Sequence, residues 1–216
     1  MRNDPISIFL VLRTGGDVFD SRYVNTVAKN IKNNISYPHE IVCLTDDATG
    51  ITEVDRIVPM LHNYPKWWGK IELFRSDITK NRHCLFIDLD TVICKNIDQI
   101  CSLTGSFFAL YDFYHPAMLQ TGVMKWEVNQ QSKAIYNNFI TTDFSKYIHR
   151  GDHEWIGANV SHFKFLQDCL PEYICSYKKD LSYIAKGLKE PNIICFHGTP
   201  RPHTITHDFI TKHWKY

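Results

Sequence analysis

Apolar runs alternate with amphipathic segments in the N-terminal part of the chain. Continuous apolar runs, each ended by turn or polar residues, predict buried strands over residues 6–12, 40–45, 56–59 and 84–87. Apolar side chains spaced three or four residues apart predict a helix that ends near residue 33 and that Asp20 or Ser21 can cap. A second apolar stripe predicts a helix over residues 67–78, with Lys70 off the apolar face. This alternation is typical of an α/β fold, in which helices flank a mostly parallel central sheet.

The second part of the chain has a less regular pattern. It predicts strands over residues 107–112, 123–126 and 192–196, helices over 130–141 and 152–163, and a loop with two prolines from His197 onwards. No linker, internal repeat or low-complexity tract marks a boundary. We therefore expect residues 1–216 to form a single Rossmann-like domain.

Unusual polar sequence follows three of the predicted strands. These segments are RTGG at residues 13–16, TDD at 45–47 and DLD at 88–90. Ligands of open α/β sheets bind beyond the carboxyl ends of the strands. The three segments are therefore expected to converge on one site.

Composition and charge exclude several functions. The 24 Lys and Arg residues against 23 Asp and Glu give a net charge of +1, which does not favour nucleic acid or an anionic membrane as the main partner. Seven cysteines are scattered without a CxxC pair, which is typical of a reducing compartment and argues against a zinc site. The N-terminal apolar run is too short to span a membrane and lacks a small-residue cleavage site, and no later run approaches about twenty apolar residues. We expect a soluble, cytoplasmic protein with no membrane span.

The strongest chemical signal is the pair Asp88 and Asp90 within FIDLDTVI at residues 86–93. Side chains two positions apart in an extended segment share a face, so both carboxylates can point at one ion. Two carboxylates suit a hard divalent cation such as Mn²⁺ or Mg²⁺, which also binds phosphate oxygens. Charges at the end of a hydrophobic strand are costly unless they are paired or bound to a metal. Pairing with a nearby lysine or with backbone N–H groups is the alternative.

One known pattern that contains this pair is the motif of haloacid-dehalogenase-type phosphatases, whose first aspartate is the nucleophile. Asp88, Asp90 and Val92 satisfy that motif. It normally lies on the first strand of its domain, whereas three predicted strands precede it here. The downstream segment GDHEW also offers a glutamate where the phosphatases have a further aspartate. The order of elements therefore disfavours a phosphatase, which remains an alternative.

The second pattern is the Asp-x-Asp motif of GT-A glycosyltransferases, and segments along most of the chain agree with it. The sequence resembles the glycogenin and bacterial galactosyltransferase family, glycosyltransferase family eight, over about residues 8–203. The matching segments are RTG at 13–15, WGKIELF at 68–74, TGVM at 121–124, GDHE at 151–154 and CFHGTPRPH at 195–203. The last of these resembles the closing His-x-Gly-x-x-Lys-Pro-Trp motif of the family, and the combination is more specific than Asp-x-Asp alone.

The resemblance implies a GT-A domain that transfers a sugar from a UDP-sugar donor to an acceptor, with retention of the anomeric configuration. It implies a Mn²⁺ or Mg²⁺ ion held by Asp88, Asp90 and His197. No motif indicates the acceptor, which is a glycan, a lipid-linked molecule or a protein.

The resemblance also assigns residues around the donor. It assigns phosphate contacts to Lys70, Gly198 and Arg201, the last standing where the family has lysine. Asp152 is the candidate catalytic carboxylate or donor-sugar contact. No separate general acid is needed, because a diphosphate bound to a metal is a good leaving group.

Further positions are assigned by neighbouring strand ends, by departures from the family motifs and by their aromatic side chains. Thr14 and Asp46 can hydrogen-bond uracil or ribose from neighbouring strand ends, although Asp46 is equally well explained as a turn residue. His153 and His203 stand where the family has Gln and Trp. These departures keep open a relative that binds a nucleotide-sugar without turnover. Trp155 is the tryptophan expected near a sugar, and the other tryptophans are expected mostly in the core.

Overall fold

The computed structural model describes residues 4–15, 19–147 and 151–215. In chain order its strands are β1 (Ile6–Leu12), β2 (His39–Thr45), β3 (Arg56–Pro59), β4 (His83–Ile87), β5 (Thr91–Ile93), β6 (Phe107–Tyr111), β7 (Leu119–Glu127), β8 (Lys164–Phe165), β9 (Ile174–Ser176) and β10 (Ile193–Cys195). The α-helices are α1 (Ser21–Asn33), α2 (Asp98–Ser102), α3 (Gln130–Ile140), α4 (Asp152–Asn159), α5 (Leu166–Cys169), α6 (Tyr177–Ala185) and α7 (Asp208–Thr211). Short 3₁₀ helices cover Lys66–Phe74, Phe144–Lys146 and Pro202–Thr204.

A seven-stranded sheet forms the centre of the fold, in the order β3-β2-β1-β4-β7-β6-β8. β1 pairs in parallel with β2 and β4, and β2 pairs in parallel with β3. β7 is antiparallel to both β4 and β6, and β8 joins β6 in parallel. A smaller sheet has the order β5-β10-β9. The predicted mostly parallel sheet flanked by helices is confirmed.

Both faces of the large sheet are buried, which explains why its strands read as continuous apolar runs. Successive side chains of a strand point to opposite faces. Ile8 and Leu10 of β1 accordingly belong to one core cluster, together with residues of α1 and of the smaller sheet. Phe9 and Val11 belong to a second cluster, together with residues of the 3₁₀ helix Lys66–Phe74, α3 and α4.

The first helix forms as predicted. The side chain of Asp20 accepts a hydrogen bond from the backbone N–H of Arg22 at 3.0 Å, so Asp20 caps α1. The apolar stripe of α1, which includes Val24, Val27 and Ile31, is fully buried. Packing of this stripe on β1 and the smaller sheet fixes the helix above the first core cluster.

The predicted helix over residues 67–78 is wrong in type and length. The chain forms the 3₁₀ helix Lys66–Phe74 instead, after an extended Pro65 and a Lys66 with a positive φ of 54°. Trp68, Ile71 and Phe74 lie three residues apart, a spacing that places side chains on one face of a 3₁₀ helix. All residues from 68 to 74 are buried, including Lys70, which was predicted off the apolar face.

Other differences lie in the second part of the chain. The predicted helix over residues 152–163 ends at Asn159, because the chain becomes extended at Val160 and then pairs with β6 as β8. The strand predicted over residues 123–126 extends over Leu119–Glu127. The elements between residues 164 and 185 are short, and no apolar periodicity indicated them.

The cysteines are unpaired in the structure. All seven cysteines are free, and burial raises the pKa of the Cys43 thiol to about 12. Cys84 and Cys195 are also buried, as expected for small apolar side chains. Within the described ranges, every helix is too short or too polar to cross a bilayer.

Candidate functional site

β2, β1 and β4 lie side by side in the same direction, so their carboxyl ends meet at one edge of the sheet, as predicted. A cavity of about 500 Å³ opens there, within the range of roughly 300–1,000 Å³ that is usual for small-molecule sites. Seven of the nine predicted site residues line this cavity, namely Lys70, Asp88, Asp90, Asp152, His197, Gly198 and Arg201. The other two, Thr14 and Asp46, do not line the cavity. They lie beside Arg13, which does line it.

Asp88 and Asp90 flank a tight turn at the end of β4. The backbone N–H of Asp88 donates to Gly122 of β7 at 2.8 Å, and the N–H of Thr91 closes the turn onto the carbonyl of Asp88 at 3.1 Å. The Asp88 side chain is 27% exposed, whereas that of Asp90 is 6% exposed. Both residues line the cavity, but they do so from a turn and not from the extended segment that the prediction from their spacing assumed.

Asp90 has an unfavourable electrostatic environment. Burial, and then the charge of Asp88, raise its pKa from 3.8 to about 7, against the opposing effects of Arg201 and Lys70. Each of the two carboxylates is paired with a cation, Asp88 with Lys70 and Asp90 with Arg201, so the raised pKa of Asp90 is due mainly to its burial. Groups with strongly shifted pKa values cluster at functional sites.

Lys70 connects two of the three cavity carboxylates. Its Nζ lies 2.8 Å from Asp88 and 3.8 Å from Asp152. Burial on its own would lower the pKa of the ammonium, but the charges of Asp88, Asp152 and Asp90 outweigh this effect and raise it. Lys70 is therefore a buried, charged group at the centre of the site, although the sequence pattern predicted it off the apolar face.

Asp152 is the first residue of α4 and is 5% exposed. The hydroxyl of Thr121 donates to its Oδ2 at 2.7 Å. This hydrogen bond and the ammonium of Lys70 hold the carboxylate at the wall of the cavity. The partner Thr121 was not among the predicted site residues, although it lies in the segment TGVM that carries part of the resemblance.

Arg201, which was predicted to bind phosphate, contacts a carboxylate in the structure. Its guanidinium donates to Asp90 Oδ2 and lies over the ring of Phe19, 4.6 Å from the centroid. Arg201 and Asp90 therefore form an ion pair at the cavity wall. Gly198 lines the same wall with a positive φ of 72°, a conformation that favours glycine.

His197 is half-buried between the loop after β6 and the start of α6. Its Nε2 lies 2.7 Å from the hydroxyl of Ser176, and its ring stacks on Phe113 with centroids 5.9 Å apart. Burial, assisted by the charge of Lys178, lowers the pKa of this imidazole, so it is neutral at pH 7. A neutral imidazole can ligate a metal, and the contact with Ser176 leaves Nδ1 as the nitrogen available for it.

The carboxylate pair suits a divalent cation by its chemistry. Asp88 and Asp90 supply hard oxygen donors at the wall of one cavity. Mg²⁺ is often held by one or two carboxylates, with substrate phosphates and water completing its coordination. Among the residues that the structure describes, no three His, Cys, Asp or Glu side chains form a metal-binding group. The protein contribution that fits is the carboxylate pair, with His197 at the same cavity.

Asp46 organises the end of β1. It accepts hydrogen bonds from the backbone N–H and the hydroxyl of Thr14, both at 2.8 Å, and it pairs with the guanidinium of Arg13. Arg13 also donates to the side chain of Asn63 and to the carbonyl of Tyr64. Thr14 and Asp46 are thus brought together as expected, and Arg13 joins them.

The tryptophans are placed differently from the prediction. Trp155, which was expected near a sugar, is 7% exposed, and its indole N–H donates to the carbonyl of Ile135 at 2.9 Å in the second core. Trp67 lines the cavity instead and is 42% exposed. The positive φ of Lys66, which no sequence signal revealed, turns Trp67 outwards while Trp68 enters the core.

The two histidines at departures from the family motif have different places. His153 lines the cavity and folds back over Gly151, where an added Cβ would overlap the imidazole. His203 contacts the hydroxyl of Tyr23, which is fully buried in the first core. His153 is therefore near the candidate site, whereas His203 anchors the C-terminal segment to α1.

Comparison with known proteins gives similarity at the level of the fold. No protein-family model matches the sequence, and no curated protein matches it. The structure is similar to the glycosyltransferase GlyE of Streptococcus pneumoniae TIGR4, with 12% identity and a TM-score of 0.67 over 96% of this chain and 60% of GlyE. It is also similar to an active-site mutant of LgtC, with 9% identity and a TM-score of 0.65 over 96% of this chain and 93% of LgtC.

A third similarity is to the bifunctional glycosyltransferase WbbM, with 12% identity and a TM-score of 0.62 over 93% of this chain and 47% of WbbM. The chain thus spans less than two thirds of GlyE and of WbbM, but most of LgtC. At these identities the similarity shows a shared fold, which is that of GT-A glycosyltransferases.

Proposed function

We propose that this protein is a metal-dependent hexosyltransferase that takes a sugar from a UDP-sugar donor, with retention of configuration. The observation that carries the proposal is the cluster of Asp88, Asp90 and Asp152 around Lys70, in a cavity at the carboxyl edge of the sheet. The shared fold supports it, because LgtC has been solved in complex with donor and acceptor sugar analogues. The resemblance of the sequence to family eight supports it independently.

The nucleoside part of the donor belongs at the end of β1. The carboxylate of Asp46 and the hydroxyl oxygen of Thr14, whose proton is donated to Asp46, offer acceptors for uracil or ribose, and Arg13 extends this group to the cavity wall. Asp46 is itself held by Arg13 and Thr14, so the group is pre-organised before a ligand arrives.

The diphosphate belongs between the carboxylate pair and the loop after β10. Asp88 and Asp90 would hold a Mn²⁺ or Mg²⁺ ion, which as a Lewis acid would neutralise charge on the departing diphosphate. His197, the expected third ligand, lines the same cavity but forms no metal-binding group with them among the described residues. Gly198 lets the backbone N–H approach a phosphate closely, and Arg201 supplies a planar guanidinium that can contact two phosphate oxygens.

Asp152 and Lys70 belong beside the donor sugar. Asp152 is held by Thr121 and by the charge of Lys70, so its carboxylate has a fixed position at the cavity wall. A fixed carboxylate stabilises the positive charge that develops at the anomeric carbon as the bond to the diphosphate breaks. His153 lies next to Asp152 at the same wall and is placed to contact sugar hydroxyls.

The test is release of UDP from a panel of UDP-sugars, measured with Mn²⁺ and with EDTA. We expect Mn²⁺-dependent release that Asp90→Asn lowers at least about a hundredfold, because this change removes a charged oxygen donor. Asp168→Asn changes an exposed carboxylate on α5 and is the matched control, with unchanged activity expected. Full activity of Asp90→Asn with the same Mn²⁺ requirement would refute the metal assignment.

Two further measurements, binding of UDP and hydrolysis of a phosphatase substrate, separate the alternative functions. A relative without turnover would bind UDP with Mn²⁺ and release none from any donor in the panel. A phosphatase would hydrolyse p-nitrophenyl phosphate through a phosphoryl group on Asp88, and Asp88→Asn would abolish that activity. Either result would contradict the proposed transfer reaction.

A further inference from the structure

Both side chains assigned to the donor phosphates already contact carboxylates. Lys70 Nζ lies 2.8 Å from Asp88, and the guanidinium of Arg201 donates to Asp90. With Asp152, the cavity wall presents three carboxylates. Two further cations line it, namely Arg13, which pairs with Asp46, and Lys66, whose ammonium lies over the ring of Trp67. A nucleoside diphosphate brings at least two further negative charges, so a cation that has no carboxylate partner and stands near the path of the diphosphate would add to its attraction.

The start of α6 is fixed against the loop that follows β10. Cys195 and Ser176 are paired across β10 and β9. The rings of Tyr177 and Phe196 stack with centroids 4.2 Å apart, and Ser176 Oγ lies 2.7 Å from His197 Nε2. These contacts set the position of the next residue of α6 relative to the cavity.

That next residue is Lys178, and its ammonium stands beside Gly198. Lys178 Nζ lies 3.6 Å from the position that a Cβ on Gly198 would take. Lys178 is exposed, and within the described part of the chain it forms no hydrogen bond or ion pair. The neighbouring Lys179, in contrast, donates to the carbonyl of Phe113.

We propose that Lys178, which stands beside the cavity-lining residue Gly198 without being a lining residue itself, is a third phosphate-binding cation and contacts the diphosphate of the donor where it passes the backbone of Gly198. The inference rests on the proposed function, since it concerns the same donor. Lys178 lies outside every segment that carries the family resemblance, so no motif indicates it. Its ammonium can turn towards a ligand without breaking an ion pair. Lys70 and Arg201, in contrast, would have to share or give up their contacts with Asp88 and Asp90 to bind a phosphate.

The test is calorimetric titration of UDP, UMP and uridine at fixed Mn²⁺ and low ionic strength. We expect Lys178→Ala to weaken UDP binding about tenfold, which equals about 1.4 kcal/mol, and to leave uridine binding unchanged. Lys178→Arg should restore UDP binding, because it keeps the charge. The loss in Lys178→Ala should shrink in high salt, because exposed charges are screened.

The matched control is Lys186→Ala, an exposed lysine at the other end of α6. It lies about 12 Å along the helix from Lys178, at about 1.5 Å per residue. UDP affinity should be unchanged in this variant.

Three outcomes would overturn the inference: an affinity of Lys178→Ala for UDP within twofold of the wild type, an equal loss for uridine, or an equal loss in Lys186→Ala. If the wild type itself binds no UDP, the proposed function is refuted. If the wild type binds UDP and Lys178→Ala binds it equally well, only the inference about Lys178 fails.

Discussion

Replacing Asp90 by asparagine is expected to stabilise the protein at pH 8 and to have little effect near pH 4. Burial and the neighbouring charge of Asp88 raise the pKa of Asp90 to about 7 in the folded chain, against an ordinary value of 3.8. At a pH between these two pKa values, Asp90 is protonated in the folded protein but ionised in the unfolded chain. The free energy of unfolding therefore falls as the pH rises through this window.

The size of the effect follows from the two pKa values. A shift of one pKa unit equals about 1.36 kcal/mol, so ionised Asp90 costs up to about 4 kcal/mol of folding free energy above pH 7. Asparagine resembles the protonated carboxyl in size and carries no charge, so the variant avoids this cost. For a chain of this length, about 4 kcal/mol corresponds to a rise in Tm of roughly 10 °C at pH 8.

The assay is thermal or urea unfolding of wild type and Asp90→Asn at pH 4 and pH 8, with EDTA present. Asp168→Asn, on an exposed carboxylate, is the control, and its effect should be the same at both pH values. Mn²⁺ added at pH 8 should stabilise the wild type and not Asp90→Asn, because a ligand of the folded state raises stability. A variant that is less stable than the wild type at pH 8, or that shows the same difference at both pH values, would refute the reasoning.

Three other substitutions test individual contacts. Thr121→Val removes a hydrogen bond to a buried carboxylate, of a kind worth about 1.5–3 kcal/mol. We expect kcat to fall about tenfold in this variant with the Kd for UDP unchanged, and Thr121→Ser to retain the kcat and the Kd of the wild type. Steady-state kinetics measures kcat, and titration with UDP measures Kd. Gly151→Ala places a methyl group in the space that the imidazole of His153 occupies, so the ratio of kcat/KM between two UDP-sugars should change, and an unaltered ratio would place His153 away from the donor sugar. Arg201→Gln removes a cation that lowers the pKa of Asp90. Asp90 would then lose its proton at a higher pH, so the pH profile of Mn²⁺ binding should move to higher pH, and UDP should bind more weakly. A pH profile equal to that of the wild type would contradict the importance of this ion pair.

The first strands and α1 could be predicted because residues within each segment determine its structure. β1 is buried on both faces, which demands a continuous apolar run, and Asp20 caps α1 through a local hydrogen bond. The convergence of polar residues at the ends of β1, β2 and β4 followed from the parallel order of these strands. Local pattern and topology were sufficient in these cases.

The 3₁₀ helix Lys66–Phe74 could not be predicted in this way, because distant partners determine it. Glu72 is fully buried and accepts hydrogen bonds from the backbone N–H groups of Leu61 and His62 and from Arg75. Lys70 is buried against Asp88, which lies 18 residues further along the chain. The apolar stripe of this segment predicted a helix with an exposed polar face, whereas these distant partners allow Lys70 and Glu72 to be buried as well.

Site residues that belong to a motif of the resembling family could be predicted from the sequence. Site residues that reach the cavity only because the fold brings them there could not. Asp88, Asp90 and Asp152 were found from motifs, whereas Thr121 acquires its role through a hydrogen bond that packing of α4 on β7 creates. Lys178 meets Gly198 because β9 and β10 are neighbours, and no sequence spacing reveals that pairing.

Anomalous X-ray diffraction from a crystal grown with UDP and Mn²⁺ tests the central claim most directly. The account predicts one manganese peak within coordination distance of both Asp88 and Asp90, with the uracil beside Thr14 and Asp46 and the diphosphate beside Gly198. UDP bound elsewhere, or UDP in this cavity with no manganese at the carboxylate pair, would contradict it.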